Sequence, residues 1–181
     1  MDKLPNILTI FRIIVIPILV SSFFLQGTLS NWIAASLFII AAITDFFDGY
    51  FARLYKVQSN LGRVLDPIAD KLLVSTAIVM LIHFGNQDIL ILIPGLIILF
   101  REIFVSGLRE FLAEINVSLP VSRLAKWKTG IQMTALSLMI LGDKGTMIQY
   151  TNEVGRVGLV IAAALTIITG YAYLRASLKH L

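Results

Sequence analysis

Asn31-Trp32-Ile33-Ala34-Ala35-Ser36-Leu37-Phe38-Ile39-Ile40-Ala41-Ala42-Ile43-Thr44-Asp45-Phe46-Phe47-Asp48-Gly49-Tyr50-Phe51-Ala52-Arg53-Leu54 is an apolar run that meets its first acid only at Asp45. It satisfies the requirement of about 20 predominantly apolar residues for a helix that crosses a bilayer. Five similar runs flank it, at Leu4 to Leu25, Leu61 to Phe84, Ile89 to Ala113, Arg123 to Leu141 and Glu153 to Leu174. Joints as short as Gln26-Gly27-Thr28 and Gly85-Asn86-Gln87 favour antiparallel neighbours. The expected fold is all-α: a polytopic membrane protein with six transmembrane helices.

Composition agrees with a membrane solvent, because 57% of the 181 residues are hydrophobic and only 14% are charged. Cysteine is absent, which excludes a disulfide framework and thiolate chemistry. The first apolar run keeps Arg12 inside it and lacks a small-residue cleavage site, so it reads as a retained span rather than a secretory leader. No linker or low-complexity stretch divides the chain, and residues 1–181 read as a single membrane domain. Pro17 and Pro94-Gly95 interrupt helical runs and mark kinks rather than boundaries.

The formal net charge is +4, but the basic residues sit beside apolar spans rather than on an aromatic-interleaved polar face, which argues against nucleic acid. Lys3, Arg53, Lys56 and Arg63 cluster on the N-terminal side and the second joint, and Arg109, Arg123, Lys126 and Lys128 on the fourth. Arg175 and Lys179 follow in the tail, whereas the alternate joints offer little beyond Lys144 and Arg156. The excess of Lys and Arg places both termini and the second and fourth joints in the cytoplasm.

Asp45 and Asp48 are three residues apart, and Asp66 and Asp70 are four apart, so each pair shares a helix face. At roughly 1.5 Å per residue, a helix entering at Asn31 reaches Asp45 after about 21 Å, which puts the acids in the cytoplasmic third of a roughly 30 Å core. Four uncompensated anions at that depth must be protonated, paired with Lys or Arg, or bound to cations. Hard carboxylate oxygens select Mg²⁺, Mn²⁺ or Ca²⁺, and two divalent ions would neutralise the cluster. The competing structural reading pairs the acids with Arg53, Arg63 and Lys71. Gly49, Ala52 and Gly62 leave room for a nucleotide or its phosphates, or serve helix packing.

On the fourth run Arg101 and Arg109 are eight apart, about two turns and nearly one face, and Lys126 and Lys128 open the fifth. Together these cations can surround an acceptor phosphate, or pair with Glu102 and Glu110 and anchor the interface. His83 and His180 fall too far from the acids to share their chemistry.

The pattern Asp45-x2-Asp48-Gly49-x2-Ala52-Arg53-x8-Gly62-x3-Asp66-x3-Asp70 resembles the complete signature of the CDP-alcohol phosphotransferases. Leu4-Pro5-Asn6-Ile7-Leu8-Thr9-Ile10-Phe11-Arg12, the stretch from Arg101 to Glu110, and Lys126-Trp127-Lys128-Thr129 are similar to the bacterial branch that forms phosphatidylglycerophosphate. The resemblance covers most of the first five runs. It implies six membrane helices around a polar cavity open to the cytoplasm, a homodimer, and a binuclear Mg²⁺ or Mn²⁺ site in the bacterial cytoplasmic membrane. It further implies that Asp45, Asp48, Asp66 and Asp70 ligate the metals, that Asp70 is the general base, and that Gly49, Arg53 and Gly62 hold the CDP moiety of CDP-diacylglycerol.

The implied acceptor is glycerol 3-phosphate, with Arg101, Arg109, Lys126 and Lys128 around its phosphate. Inositol phosphate, serine or phosphatidylglycerol are the alternatives within the same chemistry. A cation or proton transporter would need ionisable groups continuing to the opposite face, where they thin out. A noncatalytic interaction protein leaves the converging aspartates without a reason.

Overall fold

The computed structural model describes residues 4–25, 27–55, 60–85, 88–117 and 122–179; the side chains of residues 4–6, 46–55, 60, 61, 63 and 64 lie outside that description. The described residues form α1 (Leu4–Phe23), α2 (Thr28–Tyr55), α3 (Asn60–Phe84), α4 (Ile89–Glu114), α5 (Arg123–Thr146) and α6 (Thr151–Ser177). All six expected helices are present, and Pro17, Pro67 and Pro94 lie within helices that run on past them.

The helix starts follow local chemistry. The Asp88 carboxylate accepts the Leu90 N–H at 2.9 Å to open α4, and the Ser122 hydroxyl oxygen accepts the Ala125 N–H at 3.2 Å to open α5. Between α1 and α2, Gly27 takes φ +88°, a left-handed turn that an L side chain disfavours, and the Ser30 hydroxyl donates to the Ser22 carbonyl at 2.7 Å. The helical path of α5 breaks once, at Gly142 (φ 64°, ψ 177°), which no apolar pattern announces. Asn31 of α2 donates to the Ile140 carbonyl at 3.1 Å beside that break, and Asp143 accepts the Asn152 N–H at 2.8 Å.

Packing does not follow chain order alone. The closest pair is α5 with α6, and α6 also lies along α4; α1 packs on both α2 and α3, whereas α2 and α3 touch little directly. Leu19, Phe38, Leu73, Ile78, Ile98, Leu136 and Leu159 fill the common core. The α5–α6 seam is tight enough that a Cβ on Gly155 would lie 2.4 Å from Met139 Cγ and 3.1 Å from the Ala135 carbonyl oxygen. Gly155→Ala is therefore expected to cost about 1–3 kcal/mol, the usual range for overpacking, seen as a lowered melting temperature of the detergent-purified protein.

Large apolar side chains such as Ile14, Ile18, Phe100, Ile103, Ile167 and Ile168 face outward. Lipid removes the hydration cost such a surface would carry in water. Among the described residues, three helical segments are long and apolar enough to cross a membrane: Thr28–Asp45, Ile89–Glu114 and Thr151–Ser177; Ile7–Phe23 is a shorter apolar helix. Asp66, Asp70 and Lys71 occupy the first half of α3, and Arg123, Lys126 and Lys128 the start of α5. By length and composition alone these two helices fall short of the same mark.

Candidate active site

A cavity of about 820 Å³ opens between the helices, and ionisable side chains of both signs line it. Helices α2 and α3 contribute Asp45, Asp66 and Asp70 together with Lys71, and α4 and α5 contribute Arg101, Arg109 and Lys128 together with Glu102 and Glu110. The four-residue spacing on α3 sends Asp66 and Asp70 to one wall, as helical periodicity requires. The carboxylates of Asp45 and Asp70 are half-buried, so they face the cavity rather than the core.

Among the described residues, α1 brings a countercharge to the acids. Arg12 is fully buried, with Nη1 at 2.6 Å from Asp45 Oδ1 and 3.7 Å from Asp70 Oδ1. One turn earlier the buried Thr9 hydroxyl donates to Asp66 Oδ1. Lys71, which the competing structural reading paired with the acids, donates instead to the Pro67 carbonyl at 2.9 Å. Sequence reasoning overlooked Arg12 as a member of the site. The signal was present as a lone guanidinium in an apolar run, which must find an anion.

Between α4 and α5, Glu102 accepts from Lys128 and lies 3.5 Å from Arg101 Nη1. Arg101 Nη2 donates to Thr169 Oγ1 of α6 at 3.3 Å, and Gly170 lets α6 approach so closely that a Cβ there would meet Arg101 Cγ at 3.0 Å. Two turns on, the Arg109 guanidinium stands over the Tyr173 ring at 5.7 Å from its centroid. Thus α6, which carries none of the quoted motifs, supports both arginines. Of the residues lining the cavity, Arg101 Nε and Gln132 Oε1 are buried without a hydrogen-bond partner among the described residues. Native proteins seldom leave such atoms unsatisfied, and a polar ligand in the cavity is one way to satisfy a wall of this kind.

Lys126 does not join this cavity. With Trp127 it lines an outer groove between α5 and α6, whereas Lys128 is buried on the cavity side. Gly62 is buried near the start of α3. Asp48, Gly49 and Arg53 lie on α2, but their side chains are outside the described residues, and His180 is outside them altogether. His83 is exposed at the end of α3 against the Phe84 ring, at 4.9 Å between centroids.

Among the described residues no three His, Cys, Asp or Glu side chains gather as a metal site. The donor chemistry nonetheless fits a hard divalent cation. Three carboxylates reach one cavity, and a cationic group already stands against two of them.

Residues 2–168 match the family model described as CDP-alcohol phosphatidyltransferase. A protein of Rickettsia felis named CDP-diacylglycerol–glycerol-3-phosphate 3-phosphatidyltransferase is 55% identical over 180 residues, covering 99% of this chain and 98% of that one. A protein of the same name from Rickettsia prowazekii is 56% identical over 176 residues, with 97% and 96% of the two chains covered. A Pseudomonas fluorescens protein, again so named, is 38% identical over 182 residues, with 99% and 92% covered.

Proposed function

Because the chain belongs to the CDP-alcohol phosphatidyltransferase family, we propose that it transfers the phosphatidyl group of CDP-diacylglycerol to glycerol 3-phosphate, giving phosphatidylglycerophosphate and CMP. It is an enzyme of phosphatidyl transfer, as the names of its relatives state of them. The observation that carries the choice of acceptor is a single cavity to which α2 and α3 bring three aspartates and α4 and α5 bring three cations, in excess of the two glutamates beside them. A phosphate held by Arg101, Arg109 and Lys128 leaves the hydroxyl end of the same small molecule to face the aspartates of that cavity.

Asp70 accepts the proton of that hydroxyl, whose oxygen forms the new bond to the phosphorus carrying diacylglycerol while the bond to CMP breaks. Asp45, Asp48, Asp66 and Asp70 would hold two divalent cations, Mg²⁺ or Mn²⁺, whose chemistry is to neutralise pyrophosphate charge as it moves onto CMP. Gly49, Arg53 and Gly62, on α2 and α3, would hold the CDP moiety. The acyl chains stay in the bilayer while the head group enters between the helices. All six helices would span the bacterial cytoplasmic membrane, with both termini and the cavity on the cytoplasmic face, in keeping with the Lys and Arg distribution. The homodimer is carried over from the family resemblance.

The test supplies purified protein with CDP-diacylglycerol, Mg²⁺ and one acceptor at a time, and measures CMP and the lipid product. CMP release dependent on glycerol 3-phosphate is expected. Product with serine or an inositol phosphate instead would move the acceptor elsewhere in the family, and no acceptor-dependent CMP would sink the transferase reading.

A further inference from the structure

Thr9 and Arg12 are three residues apart, hence on one face of α1, and that face touches carboxylates of two other helices. Asp45 belongs to α2, and Asp66 and Asp70 belong to α3. Since α2 and α3 pack little on each other and α1 packs on both, α1 is the element that ties the two acidic faces together. The tie is ionic as well as steric, because the fully buried Arg12 guanidinium lies 2.6 Å from the Asp45 carboxylate and 3.7 Å from that of Asp70.

We infer that Arg12 is a resident counterion of the carboxylate site: it holds Asp45 and Asp70 together before divalent cations bind, and competes with those cations for the same oxygens. This rests on the divalent-cation dependence in the proposed function. Aspartates gathered side by side without a cation would repel one another, and Arg12 supplies one positive charge at 2.6 Å from Asp45. A divalent ion on the same carboxylates must either displace the guanidinium or sit beside a like charge. Arg12 thereby sets the affinity of the site, weakening it relative to bare carboxylates while keeping the empty site assembled. It is a positioning residue, not a catalytic one.

The experiment titrates MnCl₂ into detergent-purified wild type, Arg12→Met, Arg12→Gln and Arg12→Lys, and follows free Mn²⁺ by electron paramagnetic resonance, with no turnover involved. Removing a unit charge a few ångströms from a divalent ion is expected to tighten Mn²⁺ binding about tenfold in the Met and Gln variants, whereas Lys stays within about twofold of wild type. Without metal the two neutral variants should melt at lower temperature than wild type, and saturating MnCl₂ should close that gap. A purely structural arginine would lower the melting temperature with and without Mn²⁺ and leave the affinity unchanged. Equal or weaker Mn²⁺ binding by the neutral variants overturns the inference. So does failure of both to fold when MnCl₂ is present throughout purification, because the ion should then replace the missing charge. If wild type itself binds no Mn²⁺, it is the metal dependence in the proposed function that fails, taking this inference with it.

Discussion

Asp70→Asn is expected to lower CMP release by at least about a thousandfold while leaving the protein folded. The substitution is nearly isosteric, so the cavity wall keeps its shape, but an amide cannot accept the proton of an attacking hydroxyl. General bases alone are worth about 10²–10⁴ in rate, and here the same side chain is proposed to share in holding a divalent ion, which compounds the loss. The placement favours the role: Asp70 is half-exposed to the cavity, on the same face of α3 as Asp66. Turnover with saturating CDP-diacylglycerol, glycerol 3-phosphate and Mg²⁺ is the measurement. Activity within about tenfold of wild type would be less than the loss of a general base costs, and would remove Asp70 from that role.

The six helices were legible because each apolar run ends in a turn residue or a charge, and a chain in lipid must satisfy its backbone polar groups within helices. Their ends differ from the expected ones by a few residues only. The run expected to stop at Leu141 does break at the next residue, but α5 continues beyond the break. A left-handed glycine at position 142 lets the chain turn and resume as helix to Thr146, with Asn31 supplying a donor to a carbonyl beside the break. Gly142 marks the break locally, but the donor beside it comes from over a hundred residues away in sequence, which no local pattern reveals.

The acidic cluster was legible from spacing, and its counterion was not. Lys71 and the arginines nearest in sequence were the natural candidates for pairing, yet the described partner comes from α1, because contact in a bundle follows helix adjacency rather than chain distance. The basic residues show the opposite fault. Lys126 and Lys128 were grouped, although residues two apart on a helix point to nearly opposite faces, and the structure sends one to the outer groove and the other to the cavity. The eight-residue spacing of Arg101 and Arg109 did hold: both line the cavity, and residues four apart on α6, Thr169 and Tyr173, lie under them. That second tier was hidden because α6 reads as a generic apolar span.

Arg101→Met is expected to raise KM for glycerol 3-phosphate about a hundredfold, the cost typical of truncating one partner of a desolvated charge pair. The KM for CDP-diacylglycerol should change far less, since the donor is assigned to α2 and α3. Arg101 is the better-buried of the two arginines on α4, and its side chain is held on several sides: Glu102 near one terminal nitrogen, Thr169 accepting from the other, and Gly170 close against its stem. A guanidinium fixed in this way has lost its side-chain freedom before ligand arrives, so little further ordering opposes the phosphate contact. Methionine keeps much of the stem volume and removes only the fork, which separates loss of recognition from loss of packing. If Arg101 merely braced α4 against α6, the variant would melt at lower temperature while the acceptor KM stayed put. A rise confined to the acceptor KM instead identifies the guanidinium as a phosphate ligand, and places the acceptor in the cavity that Asp70 lines.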